Sequence, residues 1–280
     1  MPRVQLRSRT AAALLVSTAL ATAGIVATVW SMRQAPAEVQ TLEAVLQRLS
    51  HGNNLGDEPL QFMVSSGTYT AQLAAQRGFC KPDQCDVFAQ LNPYQRYSNG
   101  WDELIRQGYA LGDIQAWSAS SGTVVIPRAA FRAYGSHTGF LACTIAHEIA
   151  HIRRHHIFER SFHLNHNLHG QNEKAKKLGD LQKSRDLERE ADRDAATMLT
   201  RAGYPARICQ QELLFMAQSI GDGSITEPDS THPGFEERIA SLRSHVGAIE
   251  KQPPSSEAST RVSFSYNRSD NLLTMTPQQR

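Results

Sequence analysis

The chain has 280 residues, of which 40% are hydrophobic and 20% are charged, and its formal net charge is +2. These values are typical of a globular protein with one catalytic-sized domain and additional segments. The sequence has no strong basic excess, Gly-rich phosphate loop, aromatic-basic patch or repeated unit, so we expect neither a nucleic-acid nor a nucleotide partner.

Residues 1–36 are predicted to form an N-terminal transmembrane or signal helix. The uncharged core from Ala11 to Trp30 has about the length that crosses a bilayer. Ala35-Pro36-Ala37 resembles a signal cleavage site, so a cleaved signal peptide remains an alternative. Three arginines precede this segment and one follows it: Arg3, Arg7, Arg9 and Arg33. This asymmetry predicts a cytoplasmic N-terminus and an exported remainder, either membrane-anchored on the periplasmic or lumenal side or secreted after cleavage.

The exported part begins with a predicted helix over Glu38–Ser50 and a strand over Leu60–Val64. Residues 66–112 are interpreted as an insertion with two short helices. Within it, Cys80 and Cys85 flank a turn-forming tetrapeptide, and in an oxidising compartment they would form a disulfide. Free or metal-binding thiols are the alternative.

Two further cysteines, Cys143 and Cys209, lie far apart in the sequence. A bridge between them is one option, and a small buried apolar role for Cys143 is the other. The sequence does not decide between them.

A β-hairpin is predicted ahead of the central motif. Its strands are Ile114–Ser118 and Thr123–Ile126, and a helix over Arg128–Tyr134 follows. The residues of the second strand are Thr123, Val124, Val125 and Ile126. We expect the free edge of this strand to bind an extended polypeptide substrate through backbone hydrogen bonds, although an ordinary core strand has the same pattern.

The central motif is His147-Glu148-x-x-His151, which lies in an apolar run predicted to be a helix from Thr138 to Phe158. Histidines four residues apart project from one helix face and together suit a zinc ion. Glu148 lies beside that face, where it could act as the general base that takes a proton from a water on the metal. Most of the histidines between His155 and His169 are interpreted as solvated.

A third ligand is expected from a separate element. Residues 172–201 are rich in helix-forming residues, and Glu188 and Asp192 are one turn apart within them. Glu188 could supply a carboxylate oxygen to zinc, and Asp192 could accept the remaining N–H of a ligand histidine. A charged, solvated helix face is the alternative interpretation.

The tail, residues 251–280, begins with a Pro-Pro-Ser-Ser linker. A candidate hairpin follows, with strands at Val262–Tyr266 and Leu272–Met275. The pattern does not indicate whether this hairpin packs on the domain or binds a partner.

The combination of His-Glu-Ile-Ala-His with Glu-x-x-Ala-Asp, 37 residues later, resembles the gluzincin metallopeptidases. The similar members are the CAAX prenyl endopeptidases, the HtpX-like heat-shock membrane proteases and the Oma-like proteases. Three other segments resemble family elements: Gln115-Ala116-Trp117 with its hairpin, Ala202-Gly203-Tyr204, and Thr231-His232-Pro233 with Arg238. Gln115 departs from the family's usual Asn. With one candidate membrane span, the chain resembles singly anchored or exported members.

The resemblance implies a role for each matching residue. His147, His151 and Glu188 would hold one zinc ion per chain, with Glu148 as the catalytic base. Asp192 and Arg238 would support the ligands, and His232 would stabilise the oxyanion or occupy the open metal position.

The implied fold is α+β, a mainly helical zincin-like domain over residues 37–250 with a small sheet or hairpin beside the metal-binding helix. The implied function is endopeptidase cleavage of exported or membrane-associated, misfolded proteins. A zinc-containing envelope chaperone and a closed structural zinc site are the alternatives.

Overall fold

The computed structural model describes residues 35–85, 91–220 and 225–278. The predicted membrane segment, Ala11 to Trp30, lies outside these ranges. Within them, no helix combines the length and the apolar character needed to cross a membrane.

The described residues form an α+β fold in which helix predominates over a small sheet. The strands are β1 (Leu60–Ser65), β2 (Trp117–Ser118), β3 (Thr123–Pro127), β4 (Val262–Asn267) and β5 (Leu272–Pro277). The helices are α1 (Ala37–Ser50), α2 (Thr68–Gln76), α3 (Trp101–Leu111), α4 (Arg128–Tyr134), α5 (Thr138–Arg153), α6 (His156–Phe162), α7 (Glu173–Arg201), α8 (Ile208–Ile220) and α9 (Phe235–Lys251). A π-helical turn, His163–Asn167, follows α6.

The helix that carries the motif, α5, ends at Arg153, five residues before the predicted end. His155 adopts a left-handed conformation with φ 54°, which interrupts the helix and turns the chain into α6. Helix α7 begins where its sequence signal predicts, because the Asn172 side chain accepts a hydrogen bond from the Ala175 amide at 2.9 Å.

The sheet has the strand order β2-β3-β1-β5-β4. Strand β3 pairs in parallel with β1 on one side and antiparallel with β2 on the other. The prediction of a free substrate-binding edge at Thr123, Val124, Val125 and Ile126 is therefore wrong. Three of these residues are completely buried, and such a continuous apolar run is typical of a central strand rather than an edge strand.

The C-terminal hairpin belongs to the same sheet. Strand β5 pairs antiparallel with β1, so that Leu273 lies opposite Phe62 and Met275 opposite Leu60. Leu273 and Met275 are completely buried, whereas the residues of β4 alternate between half-buried and exposed. The predicted hairpin of the tail thus completes the sheet of residues 37–250 and shares their hydrophobic core.

The segment 66–112 contributes α2 and α3, which pack against each other. Gly108 permits this close approach, since a Cβ at that position would lie 1.7 Å from Oγ1 of Thr70. Cys80 and Cys85 are joined by a disulfide in this segment.

Small residues bring α5 and α7 together at the centre of the molecule. Ala146 and Ala150 on α5, and Ala191 and Ala195 on α7, are buried at helical spacing on the packed faces. Because alanine side chains are short, the two backbones approach closely. Polar side chains next to these alanines, His147 and His151 on α5 and Glu188 and Asp192 on α7, therefore meet between the two helices.

Candidate metal centre

His147 and His151 lie one turn apart on α5 and face α7. Their Nε2 atoms are 3.1 Å apart, and both side chains are largely buried. The spacing follows directly from the helix, because residues i and i+4 share a face. The two nitrogens therefore converge on the same point beside α7.

Glu188 of α7 approaches both imidazoles. Its Oε2 lies 3.4 Å from Nε2 of His147, and its Oε1 lies 3.4 Å from Nε2 of His151. Three donor atoms, one each from His147, His151 and Glu188, lie within 4.8 Å of one another. The three side chains thus form a group that could hold a metal ion.

Asp192, one turn after Glu188, orients the first histidine. Its Oδ1 lies 3.0 Å from Nδ1 of His147, and both carboxylate oxygens accept hydrogen bonds from Arg238 at 2.6 and 2.9 Å. Burial opposes ionisation of Asp192, but the charge and hydrogen bonds of Arg238 hold the pKa of that carboxyl below its usual range. Asp192 is therefore an anion that can hold the Nδ1 proton of His147 and leave its Nε2 free to bind a metal.

In the metal-free protein the same carboxylates favour a protonated His147. Burial alone would lower its pKa, but the hydrogen bonds to Asp192 and Glu188 raise the pKa of His147 to about 10. The pKa of Glu188 is lowered to about 2, because the hydrogen bond and charge of His147 outweigh the effect of burial.

His151 is positioned by another histidine. Nδ1 of His156 lies 3.0 Å from Nδ1 of His151, and His156 is 2% exposed. Most of the histidines between His155 and His169 are exposed, as expected, and His156 is the buried exception because the turn at His155 folds the start of α6 back onto α5. Burial lowers the pKa of His156, so a neutral ring can accept the Nδ1 proton of His151.

Glu148 is buried next to the histidine pair, with 8% of its surface exposed. Burial raises the pKa of this carboxyl, and the charge of His147 and a hydrogen bond from Ser118 of β2 oppose that effect. A carboxyl with a raised pKa can both take and return a proton near neutral pH.

His232 lies at the open side of the group. Its Nε2 is 3.5 Å from Oε1 of Glu188, and 64% of its side chain is exposed. The hydroxyl of Thr231 lies 3.0 Å from Nδ1 of the same ring. The ring is thus close enough to interact with a group bound at Glu188.

These residues surround a cavity of about 540 Å³ that opens to solvent. Residues 114–118, which include β2, form one wall of the cavity. Residues 230–235, which lead into the first residue of α9, form another wall. The edge strand β2, rather than the central strand β3, therefore borders the cavity beside Glu148.

Ser118, His156 and Glu212 are among the cavity residues that the sequence did not identify as part of the site. His156 follows His151 by five residues, but this spacing brings the two rings together only because the helix breaks at His155. Ser118 and Glu212 lie in ordinary strand and helix patterns, so only the packing of β2 and α8 against α5 brings them to the cavity.

No protein-family model, no curated protein sequence and no solved structure matches this chain. The functional interpretation therefore rests on the residues and geometry of the site itself.

Proposed function

We propose that the protein is a zinc-dependent metalloendopeptidase. The observation that carries this proposal is the convergence of two imidazole nitrogens and one carboxylate next to a buried Glu148 in an open cavity. A His₂Glu set with an accessible fourth position is the donor set of catalytic zinc sites in metallopeptidases.

The distances between the donor atoms fit zinc. Tetrahedral coordination with bonds of about 2.0–2.1 Å requires donor atoms about 3.3–3.4 Å apart. The two Nε2 atoms here are 3.1 Å apart, and each lies 3.4 Å from a different oxygen of Glu188, Oε2 for His147 and Oε1 for His151. One donor atom from each residue lies within 4.8 Å of the others, so the group is compatible with a zinc ion after small side-chain adjustments. When bound, zinc would supply a Lewis acid that polarises the substrate carbonyl and lowers the pKa of water.

The protein's own groups would then carry the proton transfers. Glu148 takes a proton from the attacking water and delivers it to the leaving amine, as its burial and raised pKa favour. His232, at the open side of Glu188, donates a hydrogen bond to the developing oxyanion. Asp192 and His156 keep the two ligand rings in the required orientation.

The proposed substrates are extended polypeptides, namely misfolded proteins exported from the cytoplasm or associated with the membrane. Two observations support this class and compartment. The cavity is open and bordered by strand β2, so an extended chain can enter it. Two disulfides, Cys80–Cys85 and Cys143–Cys209, are compatible with an oxidising compartment.

The proposal is tested with the full chain and its Glu148→Gln variant. We expect one zinc per chain in both proteins and cleavage of casein by the wild type alone, with a loss of about 100- to 10,000-fold in the variant. Glu173→Gln, at an exposed carboxylate at the start of α7 and outside the three-residue metal group, is the matched control and should retain cleavage.

Two results would contradict the proposal. Cleavage that survives in Glu148→Gln would remove the assigned base, and the absence of zinc from the wild type would remove the metal. Zinc binding without cleavage in any variant would favour the alternative, a zinc-containing envelope chaperone. A closed structural zinc site is a separate alternative, in which His232, 3.5 Å from Glu188, would be a permanent fourth ligand.

A further inference from the structure

A second acidic group lies on the wall of the same cavity, away from the metal group. Glu212 of α8 is 6% exposed and lines the cavity together with Thr144, Leu213 and Met216. Neither the metal centre nor the proposed proton transfers use this carboxyl group.

The hydrogen bonds of Glu212 fix its position. Its Oε1 accepts a hydrogen bond from the hydroxyl of Tyr134 at 2.8 Å and lies 3.3 Å from Oγ1 of Thr144. Thr144 precedes His147 by three residues on α5, so it lies about 4.5 Å from it along the helix axis. The carboxyl therefore contacts α5 at Thr144, one helical turn before His147.

A disulfide holds the two helices that form this wall. Cys143 is next to Thr144, and Cys209 lies one turn before Glu212 on α8. The bond between them fixes α8 against α5 beside the cavity. The position of Glu212 relative to the metal group is therefore preorganised, which reduces the entropic cost of binding a ligand there.

Glu212 lacks a local counter-ion. Among residues 35–85, 91–220 and 225–278, no Lys, Arg or His nitrogen lies within 4.0 Å of its carboxylate. Arg238 is engaged with Asp192. Burial raises the pKa of Glu212, because the charged form has lost hydration, and this effect outweighs the hydrogen bond from Tyr134 and the more distant charges of Arg238 and His147. A cation entering from the cavity would provide a local counter-ion.

The rest of this wall suits a long cationic side chain. Leu213 and Met216 are apolar and lie within one turn of Glu212 on α8. Lys and Arg bury their methylene stems along apolar surface and place the charge at the tip.

We propose that Glu212 is a specificity-determining residue that binds a Lys or Arg side chain next to the scissile bond of the substrate. This inference rests on the proposed peptidase function, since it assigns a substrate preference to the same cavity.

The test uses pairs of fluorogenic peptides that differ only by Lys or its uncharged isostere norleucine at each position flanking the scissile bond. For wild type, we expect a higher kcat/KM with Lys at one position. In Glu212→Gln, the ratio of kcat/KM for Lys to that for norleucine should fall about 10- to 100-fold, the effect of losing one charge-assisted hydrogen bond in a buried site. Gln retains an oxygen that can accept the Tyr134 hydrogen bond, which preserves the local fold.

Glu227→Gln is the matched control, because Glu227 lines the same cavity but is exposed to solvent. Its Lys-to-norleucine ratio should remain within about threefold of the wild-type ratio. A wild-type enzyme that cleaves without preferring Lys at any position would overturn the inference, as would a ratio unchanged in Glu212→Gln.

A binding measurement separates this inference from the peptidase proposal. The same peptides are titrated into zinc-loaded Glu148→Gln and into the double variant with Glu212→Gln. We expect the Lys peptide to bind at least tenfold more weakly to the double variant than to Glu148→Gln. The affinities of the norleucine peptide for these two proteins should differ by less than threefold. Equal affinities would refute the role of Glu212 even if no protein cleaved a peptide, whereas absent cleavage alone would refute only the peptidase function.

Discussion

Replacing Asp192 by Asn tests how His147, the first of the proposed metal ligands, is positioned. The substitution keeps the shape of the side chain but removes its charge. In the wild type this carboxylate accepts two hydrogen bonds from Arg238 and lies 3.0 Å from Nδ1 of His147. The variant would leave a buried guanidinium without its anion and a ligand histidine without its orienting partner.

The substitution should lower both the stability of the protein and its affinity for zinc. The Asp192 and Arg238 side chains are only 7% and 14% exposed, so breaking the pair should lower the free energy of unfolding of the metal-free protein by about 3–5 kcal/mol. Loss of the orienting carboxylate should reduce zinc affinity by about 10- to 100-fold, which corresponds to about 1.4–2.7 kcal/mol.

Urea unfolding of the metal-free protein measures the first effect, and competition with a chelator of known zinc affinity measures the second. Asp194→Asn is the matched control on the same helix. Asp194 also accepts two hydrogen bonds from an arginine, Arg154, but that side chain is 50% exposed. The control should lose at most about 1 kcal/mol and bind zinc normally. An Asp192→Asn protein that behaves like the control in both assays would refute the reasoning.

Three other predictions concern the supports of the site. Changing His156 to Gln should weaken zinc binding about 10- to 100-fold in the chelator assay, because His151 loses the acceptor that orients its ring. Changing Cys143 and Cys209 to Ala together should lower the free energy of unfolding by about 4 kcal/mol in urea, since their bond closes a loop with a sequence separation of 66. The stability difference between wild type and Asp192→Asn should shrink in urea titrations as the pH falls below about 4. The folded pKa of Asp192 lies below its ordinary 3.8, so its contribution is present above that value and is lost as the carboxyl is protonated.

The first two of these predictions each have a control variant, and the third has a clear contradicting result. His166→Gln changes an exposed histidine of the π-helical turn and should leave zinc affinity unchanged. Removal of the Cys80–Cys85 bond, with a sequence separation of five, should cost only about 2 kcal/mol. A pH-independent stability difference between wild type and Asp192→Asn would contradict an ionised Asp192 in the folded protein.

The local parts of the fold could be predicted from the sequence because their signals are local. The helical spacing of His147 and His151 and the Asn172 cap are set by residues within one or two turns. The small sheet and the excess of helix also follow from short sequence patterns.

Long-range pairing could not be predicted in the same way. Strand β3 has the same sequence pattern as an edge strand or a central strand, and only its pairing with β1, sixty residues earlier, makes it central. The hairpin at the end of the chain joins β1 for a similarly non-local reason. His156 reaches His151 because one residue, His155, adopts a left-handed backbone that helical periodicity does not reveal. Glu212 becomes part of the cavity through helix packing and the Cys143–Cys209 bond.

The most direct test of the central claim is anomalous diffraction at the zinc absorption edge from crystals of the full chain grown with zinc. We expect one peak between the Nε2 atoms of His147 and His151 and the carboxylate of Glu188. The fourth coordination position of this metal should be open to solvent or occupied by water. A peak at any other place would contradict the claim, as would no peak at this site or a site closed permanently by His232.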